Sequence, residues 1–118
     1  MRKGTALVEM ALVTPILIGL LTGVTDLGYL YNHRLVLTNA AREGARVGAL
    51  GRTDTQVRAA VLTYLQDSGY TPLPPGSDVG VSLAGDTAQV TVASTIPCLF
   101  ASSGPAITMR AVAKMRRE

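Results

Sequence analysis

Between residues 5 and 31 the chain is apolar at nearly every position, and residues 10–25 carry no charged side chain. A bilayer core of about 30 Å is crossed by roughly 20 such residues in a helix, so this run predicts a membrane-spanning helix. The helical pattern continues beyond it. In residues 32–50, NHRLVLTNAAREGARVGAL, Ala40, Gly44 and Gly48 share one face at four-residue steps, with Ala41 and Ala45 beside them. Arg42, Glu43 and Arg46 take the other faces. One long helix over residues 5–50 should therefore project past the bilayer, and Gly51 suits its terminus.

A second helix is expected over residues 55–67, where Val57, Ala60, Val61, Tyr64 and Leu65 recur at helical spacing. Thr53 or Asp54 would cap its start, and Gly69 would end it. TPLPPG at residues 71–76 is a proline-rich connector. Residues 79–83 and 87–95 alternate with period two around a hairpin turn at Ala84, Gly85 and Asp86; residues 106–115 alternate again. Residues 96–105 read as a loop. The fold class is α+β: a long N-terminal membrane-spanning helix, then a small domain with one further helix and about three antiparallel strands. By segment this gives a basic leader at 1–4, the span at 5–31, a helical extension at 32–52 and the small domain at 53–118.

Charge gives the span a direction. Arg2 and Lys3 precede it, which by the positive-inside tendency keeps the N-terminus cytoplasmic and sends the C-terminal domain across; Arg34 on the far side opposes this slightly. Tyr29 and Tyr31 are placed as interfacial aromatics, and Asp26 is either solvated at the headgroup level or paired with Arg34 or a neighbouring subunit. Pro15 lacks an N–H and crowds the carbonyl of Ala11, so a kink is expected there. Gly19 and Gly23 form a small-xxx-small pair that lets another helix approach. Gly44 and Gly48 each cost a helix up to about 1 kcal/mol relative to alanine, so close packing against the strand layer or an adjacent subunit should compensate.

Glu9 breaks the apolar run near its start. A charge at the centre of a span costs about 2.5–3.5 kcal/mol on insertion scales, and such groups are usually there for a partner. A secretory signal peptide is a poor fit. Its apolar region should end in a small-residue cleavage site, whereas residues 26–32 read DLGYLYN.

The order basic leader, Gly4, four residues, Glu9, apolar helix is similar to that of prepilins, the precursors of pilus subunits. More specifically, GTALVEMALVTP at residues 4–15, GVTDLG at 23–28 and TNAAREGAR at 38–46 resemble the TadE-like proteins of the tight-adherence (Flp) type IV pilus system. Met10 stands where that family more usually has Phe. The resemblance implies a minor pilin or pseudopilin, cut after Gly4 by a prepilin peptidase so that Thr5 becomes the first residue. Glu9 would then neutralise the free α-amine of a neighbouring subunit. The implied partners are that peptidase, other pilin or pseudopilin subunits, the inner-membrane assembly machinery and the lipid bilayer. The alternative is an unprocessed single-span anchor displaying a small extracytoplasmic interaction domain.

Composition adds what not to expect. The net charge of +3 is spread over separated clusters, without the contiguous basic face of a nucleic-acid binder. No Trp and a single Phe make for a thin core, and a thin core often relies on oligomerisation. Cys98 has no cysteine to pair with and reads as a small buried hydrophobe. His33 reads as a surface or headgroup residue, and Asp67, Asp78 and Asp86 as turn residues. No phosphate loop, metal-ligand spacing or nucleophile–base pair is legible, so neither enzyme activity nor a cofactor is expected.

Overall fold

Helix α1 runs without a break from Arg2 to Ala49, 48 residues and about 72 Å at 1.5 Å per residue. It accounts for the longest dimension of the molecule, whose extents are 78 × 23 × 22 Å. The structure, a computed structural model, describes residues 2–70, 77–97 and 106–117; the side chains of Arg2 and Lys3 are outside that description. The expectations for the 71–76 connector, for Cys98 and for most of the 96–105 loop fall on residues not described. Pro15 lies inside the unbroken run of α1. The hydroxyls of its apolar half are satisfied locally: Thr14 donates to the Met10 carbonyl at 2.7 Å, and Thr25 to the Leu21 carbonyl at 2.9 Å.

Two elements fold back against the C-terminal third of α1. Helix α2 (Asp54–Asp67) starts at Thr53, whose extended backbone leaves its N–H free to donate to Gln56 Oε1 at 3.3 Å, one half of a capping box. It ends in a Schellman motif. The Gly69 N–H bonds the Gln66 carbonyl and the Tyr70 N–H bonds the Leu65 carbonyl, at 3.0 and 2.9 Å, with Gly69 at φ +82° where a side chain would be strained. This motif turns the chain sharply and delivers Tyr70 back toward α1.

The sheet is a meander of β1 (Asp78–Ala84), β2 (Thr87–Ile96) and β3 (Ile107–Arg116), in the order β1-β2-β3, antiparallel throughout. Gly85 at φ +60° followed by Asp86 makes the two-residue hairpin turn between β1 and β2. In β2 the buried positions alternate without a lapse: Ala88, Val90, Val92, Ser94 and Ile96. Their cross-strand partners Val79, Val81 and Leu83 on β1, and Met109, Ala111 and Ala113 on β3, complete one apolar face. Ile96, read from sequence as the first loop residue, is the last residue of β2 and is buried, because the alternation runs on to the residue before Pro97.

The core lies where α1, α2 and this face meet. Leu37, Ala40, Ala41 and Ala45 come from α1, Val57, Val61 and Leu65 from α2, Val90 and Val92 from β2, and Ala111 from β3. Arg58 pins α2 to the edge strand: it pairs with Asp54 at 3.0 Å and donates to the Val79 carbonyl. The chain is thus α+β, with one helix half in the domain and half outside it.

Candidate functional site

The free half of α1 is where the molecule is unfinished. Every large apolar side chain from Leu7 through Leu27 is exposed, several at around two thirds of full exposure (Leu12 68%, Leu21 69%, Leu27 69%). At about 1.5–3 kcal/mol for each such side chain left in water, the sum exceeds the roughly 5–15 kcal/mol that holds a typical domain together. Some apolar phase must cover this segment. The helix is long and apolar enough to cross a membrane, and none of its most apolar window is buried inside the molecule.

Glu9 sits on this exposed stretch, and no hydrogen bond or ion pair to it is found among the described residues. Gly4 is helical and a Cβ there would meet nothing within 4 Å; Thr5 is the next residue of the same helix. Gly19 and Gly23 are likewise open, with nothing within 4 Å of an added Cβ. Whatever these two glycines pack against, it is not another part of the described chain. Asp26 and Arg34 are eight residues apart, about 12 Å along the axis, and form no ion pair.

The small-residue stripe further along has the opposite fate. Ala40, Ala41, Gly44, Ala45 and Gly48 are all buried in the chain's own domain. An added Cβ at Gly44 would lie 2.5 Å from Val61 Cγ2 and 3.2 Å from Val90 Cγ1, and one at Gly48 2.9 Å from Ala88 Cβ. Of the two neighbours left open by the sequence, strand layer or adjacent subunit, the structure places the strand layer and α2 there. The two sets of small residues are therefore distinct. One fixes α1 to the domain and the other faces outward.

His33 departs from its sequence reading. It is buried rather than exposed, because Tyr29 one turn earlier on α1 and Tyr70 at the end of the Schellman motif enclose it. Both rings meet the imidazole edge-on, with centroids at 4.2 and 4.6 Å. Nδ1 has no hydrogen-bond partner among the described residues. Burial pushes the His33 pKa below its ordinary 6.5 and raises that of Tyr70, with Tyr29 adding to the latter. The nearest sequence signal for this cluster is the Tyr29–His33 spacing of one helical turn; Tyr70 is 37 positions further on than His33 and invisible to local patterns.

The cluster makes stability depend on pH with a definite sign. Above pH 6.5 both folded and unfolded chains keep the imidazole neutral. As pH falls through 6.5 the unfolded chain takes up a proton that the folded one resists, so stability declines until the lower folded-state pKa is passed. The full chain in detergent should melt at lower temperature at about pH 5 than at about pH 7.5, and His33→Phe should remove most of that difference. An equal difference in the variant would mean that carboxylates, and not this sole histidine, carry the effect.

Next to this cluster along α1, Arg34 and Arg110 line a common hollow with Met109, and Leu27, Leu30 and Tyr31 line an adjoining one with Arg34 and Met109.

Set against known proteins, residues 4–46 match the family model described as TadE-like protein. The matched span lies wholly within α1 and takes in Gly4, Thr5, Glu9, Gly19, Gly23, Ala40, Ala41, Gly44 and Ala45, stopping short of Gly48. No curated protein and no solved structure matches the chain.

Proposed function

We propose that this chain, TadE-like over residues 4–46, is a minor pilin or pseudopilin of a tight-adherence pilus system, non-catalytic and without cofactor. A prepilin peptidase cuts it after Gly4. The N-terminus faces the cytoplasm until then, the apolar half of α1 holds the chain in the cell membrane, and the α+β domain lies on the extracytoplasmic side. Other pilin or pseudopilin subunits and the inner-membrane assembly machinery then receive it.

The observation that carries this reading is Glu9, a carboxylate with no ion pair among the described residues, on an exposed apolar helix four residues beyond Thr5. A lone carboxylate and a lone ammonium in low dielectric are each costly, and pairing them offsets the cost. The only residues of a neighbour that need match are its new terminus and its own helix face. Open glycines at positions 19 and 23 allow two such helices to approach closely.

Gly4→Val tests the processing step. A branched side chain at the cleavage position should block the cut, leaving a chain that migrates above wild type and keeps its leader. If instead the variant yields the wild-type fragment with Thr5 at its terminus, the step assigned to Gly4 is wrong. An intact leader on the wild-type chain, in cells that carry the peptidase, would favour the unprocessed anchor.

A further inference from the structure

A recess opens between α1 and β3 where α1 leaves the domain for the apolar zone. Two adjoining hollows form it: one of about 200 Å³ lined by Arg34, Met109 and Arg110, and one of about 220 Å³ lined by Leu27, Leu30, Tyr31, Arg34 and Met109. They share Arg34 and Met109, so a cationic end passes directly into an apolar one. Leu27, Leu30 or Tyr31, and Arg34 follow at three- and four-residue steps, which places them on one helix face. The apolar floor therefore descends about 10 Å along α1 from Arg34, in the direction of the segment read as membrane-spanning.

Among the described residues no carboxylate lines the cationic end. Arg34 and Arg110, like Arg42, Arg52, Lys114 and Arg117, form no ion pair among the described residues, whereas Arg46, Arg58 and Arg116 each pair with a carboxylate, at 3.5, 3.0 and 3.2 Å. Arg34 and Arg110 both line this hollow, and their guanidinium groups are long-reaching donors suited to an anion's oxygens by charge-assisted hydrogen bonds. The occupant must also be apolar on the bilayer side, since Leu27 and Tyr31 are exposed at 69% and 67%. A phosphate carrying acyl chains meets both demands at once.

We propose that this recess holds a phospholipid of the leaflet nearest the folded domain. Its headgroup phosphate sits between Arg34 and Arg110, and its acyl chains run along Leu27, Leu30 and Tyr31, with Met109 at the junction. The net positive charge favours an anionic headgroup over a zwitterionic one. Such a lipid would hold β3 against the bilayer and set the depth of α1 before the subunit is drawn into an assembly. This inference rests on the membrane reading of α1 and not on the pilus reading.

The test uses the full chain in phosphatidylcholine nanodiscs containing increasing phosphatidylglycerol, with bound lipid counted by native mass spectrometry. Wild type should retain one phosphatidylglycerol. Arg34→Gln with Arg110→Gln should weaken retention about tenfold or more, as expected for removing two surface cations. Lysine at both positions should preserve most of it, and Arg116→Gln, at the hairpin end of the sheet, should change nothing. Excess inorganic phosphate should not displace the lipid. Retention unaffected by the double glutamine change overturns the proposal, as does full displacement by inorganic phosphate, or a second copy of the chain occupying the recess in place of lipid. A chain that fails to enter the discs overturns it together with the membrane reading; one that enters but shows no arginine dependence overturns it alone.

Discussion

Alanine at Glu9 is expected to leave the chain inserted in the membrane and cut after Gly4, yet exclude it from the pilus. The two halves of this outcome have different physical origins. Insertion answers to the apolar side chains from Leu7 to Leu27, and removing a carboxylate from their midst relieves a cost of up to about 2.5–3.5 kcal/mol. Insertion should therefore be equal or slightly better. Assembly, in the function proposed, answers to a pair between Glu9 and a neighbour's α-amine. Deleting one partner of a buried ion pair typically costs about 3–5 kcal/mol, because the other charge is left alone in low dielectric. That is a loss of roughly two to four orders of magnitude in association. Glutamine at the same position keeps hydrogen-bonding capacity and should fall between. Normal piliation in the alanine variant, measured as subunit recovered in sheared filaments, would remove the mechanism.

The second large effect lies at the other end of the helix. Gly44→Val is expected to unfold the contact between α1, α2 and β2. Even the first carbon of a side chain would sit 2.5 Å from Val61 Cγ2 and 3.2 Å from Val90 Cγ1, and both valines are fully buried in the core. Neither has a long, flexible side chain that can swing aside. Alanine at Gly44 offers up to about 1 kcal/mol of helix propensity against an overpacking penalty of about 1–3 kcal/mol, so the penalty prevails. Valine adds volume and forfeits most of the propensity gain. Hydrogen exchange at the β2 amides of the full chain in detergent reads the damage directly: protection should fall strongly for Gly44→Val and measurably for Gly44→Ala. Gly19→Ala and Gly23→Ala, with open space around both positions, should leave it unchanged and can disturb only contacts with other chains. Equal protection in Gly44→Val and wild type would contradict the packing described for α1.

Where the sequence could be read, local periodicity carried the information. The apolar run of residues 5–31 and the alternation of Val90, Val92 and Ser94 each repeat over a few residues, so helix and strands show in the chain itself. The end of β2 was missed because Pro97 and the small polar residues after it look like a loop from Ile96 onward, although the alternation still places Ile96 inward. The stripe through Ala40, Gly44 and Gly48 was visible as a close-packing face, but its neighbour was not, since spacing along one helix carries no record of what lies opposite. His33 was misplaced for a related reason. Its burial depends on Tyr70, brought back by a backbone turn at Gly69 that no pattern of side chains announces. The recess of Arg34 and Arg110 joins residues from α1 and β3 and was equally hidden.

At the proposed assembly site the sequence was more informative than the fold. Gly4, Thr5 and Glu9 are ordered by their spacing alone, and the structure adds that Glu9 is exposed and without a partner in the described chain. After cleavage, however, Thr5 and Glu9 of one chain would stand four residues apart on a single helix face, so an amine and a carboxylate could also meet within one subunit. The decisive measurement must separate these arrangements.

Zero-length carbodiimide coupling on assembled filaments, prepared from a mixture of light and heavy isotope-labelled chains, does so. The expected product is a cross-linked peptide in which the Glu9 side chain is joined by an amide to the N-terminal amine of a different subunit. If every such amide closes within one chain, or the chain still carries its first four residues while Glu9 remains uncoupled, the claim that this carboxylate docks a neighbouring terminus is contradicted.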